Sequence, residues 1–398
     1  ETVEMPTTVG SKLFAGHHPR RDADLVARLK EAGAVVLAKT NMHEFAYGIT
    51  TVGSSFGATR NPYNLLRNSG GSSGGTGAAV AADFAVLGMG SDTCGSIRIP
   101  AAQNNLVGLR ATQGLFSSQG IVPLSSTQDI GGPLAKRVTD LAIALDTLQP
   151  AGEDAALARS DVPASLFAGL SAQRGARIGV LIDWMRQDNA DAEVAAVVAA
   201  ALEQMTLRAD WQTSELPSPR VNAALDRPWN GHVVLIYEFK RDIERYLAAN
   251  PGLGYASLRE MVARRLHHPD INDSLQASIA ISDEHVLYER EIAQRSEVRA
   301  ALESLLEEGS FDALVYPTIR RVAAPLGEPQ MGTNCRLSSN SGLPAISVPA
   351  GFTTSGMPVG LELLGRAYDE QRLLNLALAV ESTLAQRRPP QALYDLQD

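Results

Sequence analysis

The chain has 398 residues, 44% hydrophobic and 20% charged, enough for one large core or two ordinary ones. A net charge of −9 excludes a nucleic-acid binder held by a basic surface, and no apolar run is long enough to span a membrane. The only cysteines, Cys94 and Cys335, lie far apart in no metal-like spacing, which excludes a disulfide-built scaffold and a structural zinc and fits a reducing cytoplasm.

Glu1–Pro6 shows no basic region followed by an apolar stretch, so no secretory signal is expected there. The first residue is not methionine, and the natural chain is expected to start further upstream. Residues 22–31 predict an amphipathic helix with Leu25, Val26 and Leu29 on one face, followed by the apolar run Ala34-Val35-Val36-Leu37 as a strand. Next comes Gly70-Gly71-Ser72-Ser73-Gly74-Gly75, then a small-residue helix from Thr76 to Ala82 and a buried strand from Phe84 to Met89. That strand leads into Asp92-Thr93-Cys94-Gly95-Ser96-Ile97-Arg98. Leu134 to Leu148 reads as a helix and Ile178 to Leu181 as a strand.

Between about 190 and 308 the texture changes to long helices, such as Tyr237–Ala249 and Glu284–Glu308. Strand patterns return at Ala313–Pro317, Ala345–Val348 and Val359–Leu364, and a helix closes the chain at 370–386. The expectation is one α/β domain over 1–398, without internal repeats, in which a helical insert at 190–308 covers a site.

Four glycines around two serines are entropically costly to fold, so such a run marks backbone in unusual torsions or close approach. With a second glycine-serine loop downstream, nucleophilic chemistry is indicated. A serine hydroxyl then needs a base. His17, His18, His267 and His268 sit in polar, surface-like surroundings, while His232 and His285 fall in helices. His43 is the best local candidate, yet no histidine stands in a serine-hydrolase context, and Ile97-Arg98 after Ser96 breaks the G-x-S-x-G elbow. Neither a Gly-Lys-Ser/Thr nor a G-x-G-x-x-G follows the pattern a phosphate cradle requires.

Lys39–Ala46, Phe56-Gly57, Asn61-Pro62, both serine loops, Val107–Thr112, Gly120–Pro123, Gly132-Pro133 and Ser341–Gly351 together resemble the amidase signature family. The match begins at Asp22 and covers about two-thirds of the chain, leaving the helical insert unmatched. The resemblance implies a mixed β-sheet covered by helices on both faces, with the insert over the active site. It implies a Ser–cis-Ser–Lys triad in which Ser96 is acylated and Ser72, after a cis peptide bond, is the bridge. Backbone N–H groups of Thr93, Cys94, Gly95 and Ser96 would form the oxyanion hole, and Ser73, Asp92 and Arg98 would support the loops. Cys94 replaces the family's common glycine, so its side chain narrows the site, and a thiol nucleophile there is a minor alternative.

The family's lysine precedes a stretch matched here by Thr7-Thr8-Val9-Gly10-Ser11, which places it ahead of Glu1; neither Lys12 nor Lys39 takes the role. The implied substrate is a small carboxylic amide, hydrophobic or aryl, with carbamates or esters as side substrates, as in aryl acylamidases and peptide amidases. Met42, Phe45 and Ala46 would form the substrate wall, with Trp229, Ile236, Tyr237, Phe239 and Tyr246 of the insert nearby. No metal or cofactor is implied, nor any nucleic-acid or membrane partner, and a monomer or homodimer is expected. The alternatives are the glutaminase-type A subunit of a glutamyl-tRNA amidotransferase and a non-catalytic scaffold of the same fold.

Overall fold

Ala313-Leu314-Val315-Tyr316-Pro317 is buried at every position. A strand of this composition must be covered on both faces, and it lies inside an eight-stranded sheet. The computed structural model describes residues 1–150, 159–226, 232–282 and 286–391. Along the chain the strands of this sheet are β1 (Leu87–Asp92), β2 (Val107–Arg110), β3 (Ile130–Ala135), β4 (Arg177–Leu181), β5 (Gln212–Leu216), β6 (Ala313–Pro317), β7 (Ala345–Phe352) and β8 (Pro358–Leu364). Their spatial order is β1-β3-β2-β7-β8-β6-β4-β5. Pairing is antiparallel from β1 through to β6 and parallel for β6–β4 and β4–β5. The fold is therefore α/β with a mixed sheet.

Side chains alternate across a strand, and the two sets meet different helices. Val107, Leu109, Ile178, Val180, Val315, Ile346 and Val348 join a core with the helices Val138–Leu148, Ala192–Ala209 and Glu370–Leu384. Leu314, Tyr316, Ala345 and Leu364 join a second core with Val298, Leu302 and Leu306 of the helix Val286–Glu308. Toward β1 the short helices Gly74–Ala81 and Arg98–Gln103 pack through Val80, Ala81 and Ala101 onto Leu134. These two helices follow directly from the two serine loops, so their packing on the sheet holds both loops. Among the described residues no helix is long and apolar enough to cross a membrane.

Several expectations change; Leu134 and Ala135 end the strand Ile130–Ala135, and the helix after them runs Val138–Leu148. Ala34–Leu37 does not form a strand, and Val35 and Leu37 are 79% and 70% exposed. An extended segment becomes a strand only by pairing, and none of the described strands pairs with it. Likewise Phe84 and Val86 lie before the strand, which begins at Leu87.

The segment 190–308 is not one insert. Its first helix, Ala192–Ala209, buries Val194, Val198, Ala201, Leu202 and Met205 in the core under the sheet. Gln212–Leu216 is the polar edge strand β5. Three helices stand apart and are termed the apical helices: His232–Ala249, Leu258–Ala263 and Asn272–Ala280. Their own core of Phe239, Ile243, Leu247, Leu258, Met261 and Leu275 closes on Phe14 and Phe45.

Candidate active site

Strand β1 ends at Asp92, which is fully buried and organises the loop after it. Its Oδ1 accepts the Gly95 N–H (2.7 Å), and its Oδ2 accepts the Ile97 N–H (3.2 Å) and Arg98 Nε (3.1 Å). Arg110 donates to Asp92 Oδ1 at 3.2 Å and also to the Asp92 carbonyl. Burial alone raises a carboxyl, but Arg98 and Arg110 outweigh it and hold Asp92 well below the usual carboxylate range. Arg98 turns its other end to Glu362 on β8, which also accepts the Tyr316 hydroxyl at 3.0 Å. All four charged groups are fully buried. Removing one partner from such a network strands the others, which typically costs roughly 3–5 kcal/mol. At Gly95 the turn needs φ +90°, and a Cβ there would lie 2.6 Å from Ile99 Cδ1. Only glycine fits.

The first serine loop is held by a different set. Thr51 Oγ1 donates to the Gly70 carbonyl (2.6 Å) and accepts the Gly74 N–H (3.0 Å). The His43 N–H donates to the Ser72 carbonyl (3.0 Å). The Gly71–Ser72 peptide is cis, and a Cβ at Gly71 would come within 2.8 Å of the Ile49 backbone. The Ser73 N–H donates to the Ser96 carbonyl at 3.2 Å, which fastens the two loops to each other. Ser73 Oγ sits 3.3 Å from both the Ser91 N–H and its carbonyl, bracing the loop against β1.

Both candidate serines are buried, Ser72 completely and Ser96 to within 3%. Ser72 Oγ finds no hydrogen-bond partner among the described residues. A buried unpaired hydroxyl costs about 1–3 kcal/mol and calls for an explanation.

Of the four candidate oxyanion donors, the Gly95 N–H is spent on Asp92. The N–H groups of Thr93, Cys94 and Ser96 have no acceptor among the described residues, and they remain as the available donors. Thr93 Oγ1 donates to Asp129 Oδ1 (2.5 Å), whose other oxygen accepts the Leu124 and Ser125 N–H groups. Burial raises the Asp129 carboxyl to about 6 against these donors. Ser125 and Thr127 in turn donate to the buried Glu238 on the helix His232–Ala249. A chain of polar contacts therefore joins the helix His232–Ala249 to the Asp92–Arg98 loop.

Cys94 is bonded to Cys335, with their Cα atoms 5.0 Å apart. Spacing alone favoured cysteines of a reducing compartment; the fold brings them together, and a thiol nucleophile at Cys94 is excluded in this state. Among the described residues no group of three or more His, Cys, Asp or Glu is arranged to hold a metal ion.

Phe45 is not an open wall. It is 3% exposed and lies edge-on to Phe14 and Phe239, at 5.3 and 5.9 Å between ring centroids. Met42 and Ala46 pack half-buried against the same core. Among the insert aromatics, Phe239 is fully buried, Tyr237 stacks on Tyr288, and Tyr246 bonds His17. Trp229 and His285 lie outside the described residues. Burial pushes the His43 imidazole down to about 4, and its ring contacts are with Thr50 rather than either serine. Lys12 is exposed, and Lys39 directs its ammonium to Thr7 Oγ1 (2.5 Å).

Sequence reasoning missed Glu362 and Asp129 and gave Arg110 no role. The available signal was a glutamate inside the apolar run Val359–Leu364, because a charge there must be paired.

A family model described as Amidase matches residues 1–374, running through the segment that the motifs left uncovered. The chain is 36% identical to the A subunit of glutamyl-tRNA(Gln) amidotransferase from Mycobacterium ulcerans, over 96% of this chain and 81% of that protein. The same-named protein of Moorella thermoacetica is also 36% identical, with 98% and 82% covered. The structure resembles native peptide amidase from Stenotrophomonas maltophilia with TM-score 0.86 and 32% identity, covering 98% of this chain and 82% of that one. The A subunit of the Thermotoga maritima glutamyl-tRNA(Gln) amidotransferase gives 0.77 and 30%, covering 96% and 80%.

Proposed function

We propose that this chain, which belongs to the amidase family, cleaves a carboxylic amide C–N bond through an acyl-enzyme on Ser96. The observation that carries this reading is the joint between the loops: the Ser73 N–H on the Ser96 carbonyl, next to Ser72, whose buried hydroxyl has no partner among the described residues. An unpaired hydroxyl at that place is suited to pass a proton in either direction.

In the proposed reaction Ser96 Oγ attacks the amide carbon while its proton moves to Ser72 Oγ and the Ser72 proton moves to the base. The family resemblance gives that base as a lysine ahead of the Thr7–Ser11 stretch, neutral because burial lowers its pKa. Negative charge on the substrate oxygen is taken up by the N–H groups of Thr93, Cys94 and Ser96, and one well-placed donor contributes about 3–4 kcal/mol. The same relay returns a proton to the departing amine. Water then attacks the acyl ester and frees Ser96. Asp92, Arg98 and Arg110 touch none of the reacting atoms in this scheme and act by fixing the loop.

The substrate in this reading is a small hydrophobic or aryl amide, with carbamates or esters as side substrates. The likeness to peptide amidase supports an amide substrate, and the preference for a hydrophobic or aryl group rests on the family resemblance. A panel of anilides, aliphatic amides, carbamates and free glutamine tests it on the full-length protein. Release of aniline ahead of ammonia from glutamine supports the reading. Turnover of glutamine alone contradicts it.

The second reading, the A subunit of an amidotransferase, is favoured by the 36% identity to proteins of that name. It requires partner subunits to copurify with the native protein.

A further inference from the structure

Cys94 stands between two residues whose side chain or amide is fastened to a buried carboxylate. Thr93 is tied to Asp129, and Gly95 to Asp92. The tether at Cys94 itself is covalent and reaches across 241 residues of sequence. Its partner Cys335 precedes the helix Arg336–Ser341, which runs through Gly342 into the central strand β7. Cys335 is also wedged into the loop, since a Cβ at Gly95 would lie 3.0 Å from its Cβ. The Cys335 carbonyl lies 3.4 Å from Arg98 Nη2. Ser339 Oγ donates to Cys94 Sγ at 3.2 Å. Cys335 is 5% exposed, whereas Cys94 is half-buried, so a small thiol approaches the pair from the Cys94 side.

We propose that Cys94 and Cys335 are a reversible redox latch on the oxyanion loop, closed as a disulfide in the fast form and opened by reduction to two thiols in a slow form. The co-reactant is a low-molecular-weight thiol–disulfide couple. A thiolate attacks Cys94 Sγ, the Sγ–Sγ bond breaks, and Cys335 departs as a thiolate that takes up a proton. A second thiolate attacks the external sulfur of the mixed disulfide, releasing an external disulfide and the Cys94 thiolate, which is protonated. Two electrons pass from the external thiols to the protein pair, and the reverse sequence closes the latch. Because Cys94 supplies one of the three available backbone donors, an open latch loosens stabilisation felt mainly in the transition state. Deleting a donor lowers kcat about 10²–10³-fold, so loosening one is expected to lower it about tenfold with KM unchanged.

The proposal rests on the hydrolase reading above, and two readouts separate them. The full-length protein is equilibrated in reduced or oxidised glutathione, and the Cys94–Cys335 linkage is followed by alkylation and peptide mass. Amide hydrogen exchange over residues 92–98 and the kinetics of anilide hydrolysis are then measured on both forms. The latch predicts a linked peptide in the oxidised form, faster exchange at 92–98 in the reduced form, and about tenfold lower kcat on reduction. Cys335→Ser is expected to match the reduced form in reduced glutathione and to show no linked peptide in either buffer. Absence of the linked peptide overturns the latch, and so does identical exchange in the two forms. An exchange difference with turnover in neither form supports the tether while overturning the hydrolase reading.

Discussion

At the residue scale, one carboxylate gathers most of the site. Asp92 accepts loop amides and two arginines at once, so the turn at Gly95 is set by electrostatics as much as by backbone freedom. Ser72 is the opposite case, a buried hydroxyl left with no partner among the described residues. If it relays the proton, Ser72→Ala is expected to lower kcat by about 10²–10⁴ with KM little changed. A variant with kcat within a fewfold of wild type would assign it to structure alone.

Two other buried residues titrate in opposite senses. Asp129 is raised by burial to about 6, so its stabilising contribution is complete below its usual value of 3.8 and is lost as pH rises toward 6. His43 is lowered by burial to about 4, so its contribution is complete above its usual 6.5 and is lost as pH falls toward 4. Asp129→Asn leaves the histidine uncompensated. Its unfolding free energy in urea is expected to climb more steeply than wild type between about pH 4 and 6, by up to about 1.4 kcal/mol per unit. Equal slopes contradict the assignment. The two serine loops stood out in the sequence because a glycine-rich run is costly to fold, while the roles proposed for Ser72 and Ser96 came from the family resemblance. Glu362 did not stand out, because its partner Arg98 is 264 residues away.

At the scale of elements, strands buried on both faces announced themselves. Ala313–Pro317 and Ala345–Phe352 are apolar or small almost throughout, and both are buried nearly end to end. The polar edge strand Gln212–Leu216 gave no such pattern, since its place comes from backbone pairing to β4 rather than from side-chain burial. Ala34–Leu37 misled for the complementary reason, being apolar with no described strand to pair with. The joint between the apical helices and the rest was also invisible. Phe45 and Ala46 hold φ of 51° and 59°, which is unfavourable for side chains other than glycine. Phe14 and Phe239 both pack edge-on to the Phe45 ring, a contact that works against that cost. Glu238 is the polar half of the same joint, accepting three hydrogen bonds from Ser125 and Thr127. Glu238→Ala orphans those donors, at about 1–3 kcal/mol. The expected result is faster amide exchange across 232–280 and a higher KM for anilides; exchange unchanged from wild type would detach Glu238 from this role.

At the scale of the whole molecule, the sheet and its helices bring two loops separated in sequence together, and Glu238 of the apical helices reaches the Asp92–Arg98 loop through Ser125 and Asp129. The family is shared with proteins named as peptide amidases and as amidotransferase subunits, so the fold alone does not choose between them. The decisive step of the proposed reaction is attack by an activated Ser96 hydroxyl. The direct measurement is intact mass of the full-length protein after incubation with a serine-directed fluorophosphonate, alongside Ser96→Ala. The account predicts a single adduct on wild type, located in the peptide containing Ser96, and none on the variant. No adduct on wild type, or an adduct that survives in Ser96→Ala, would contradict it.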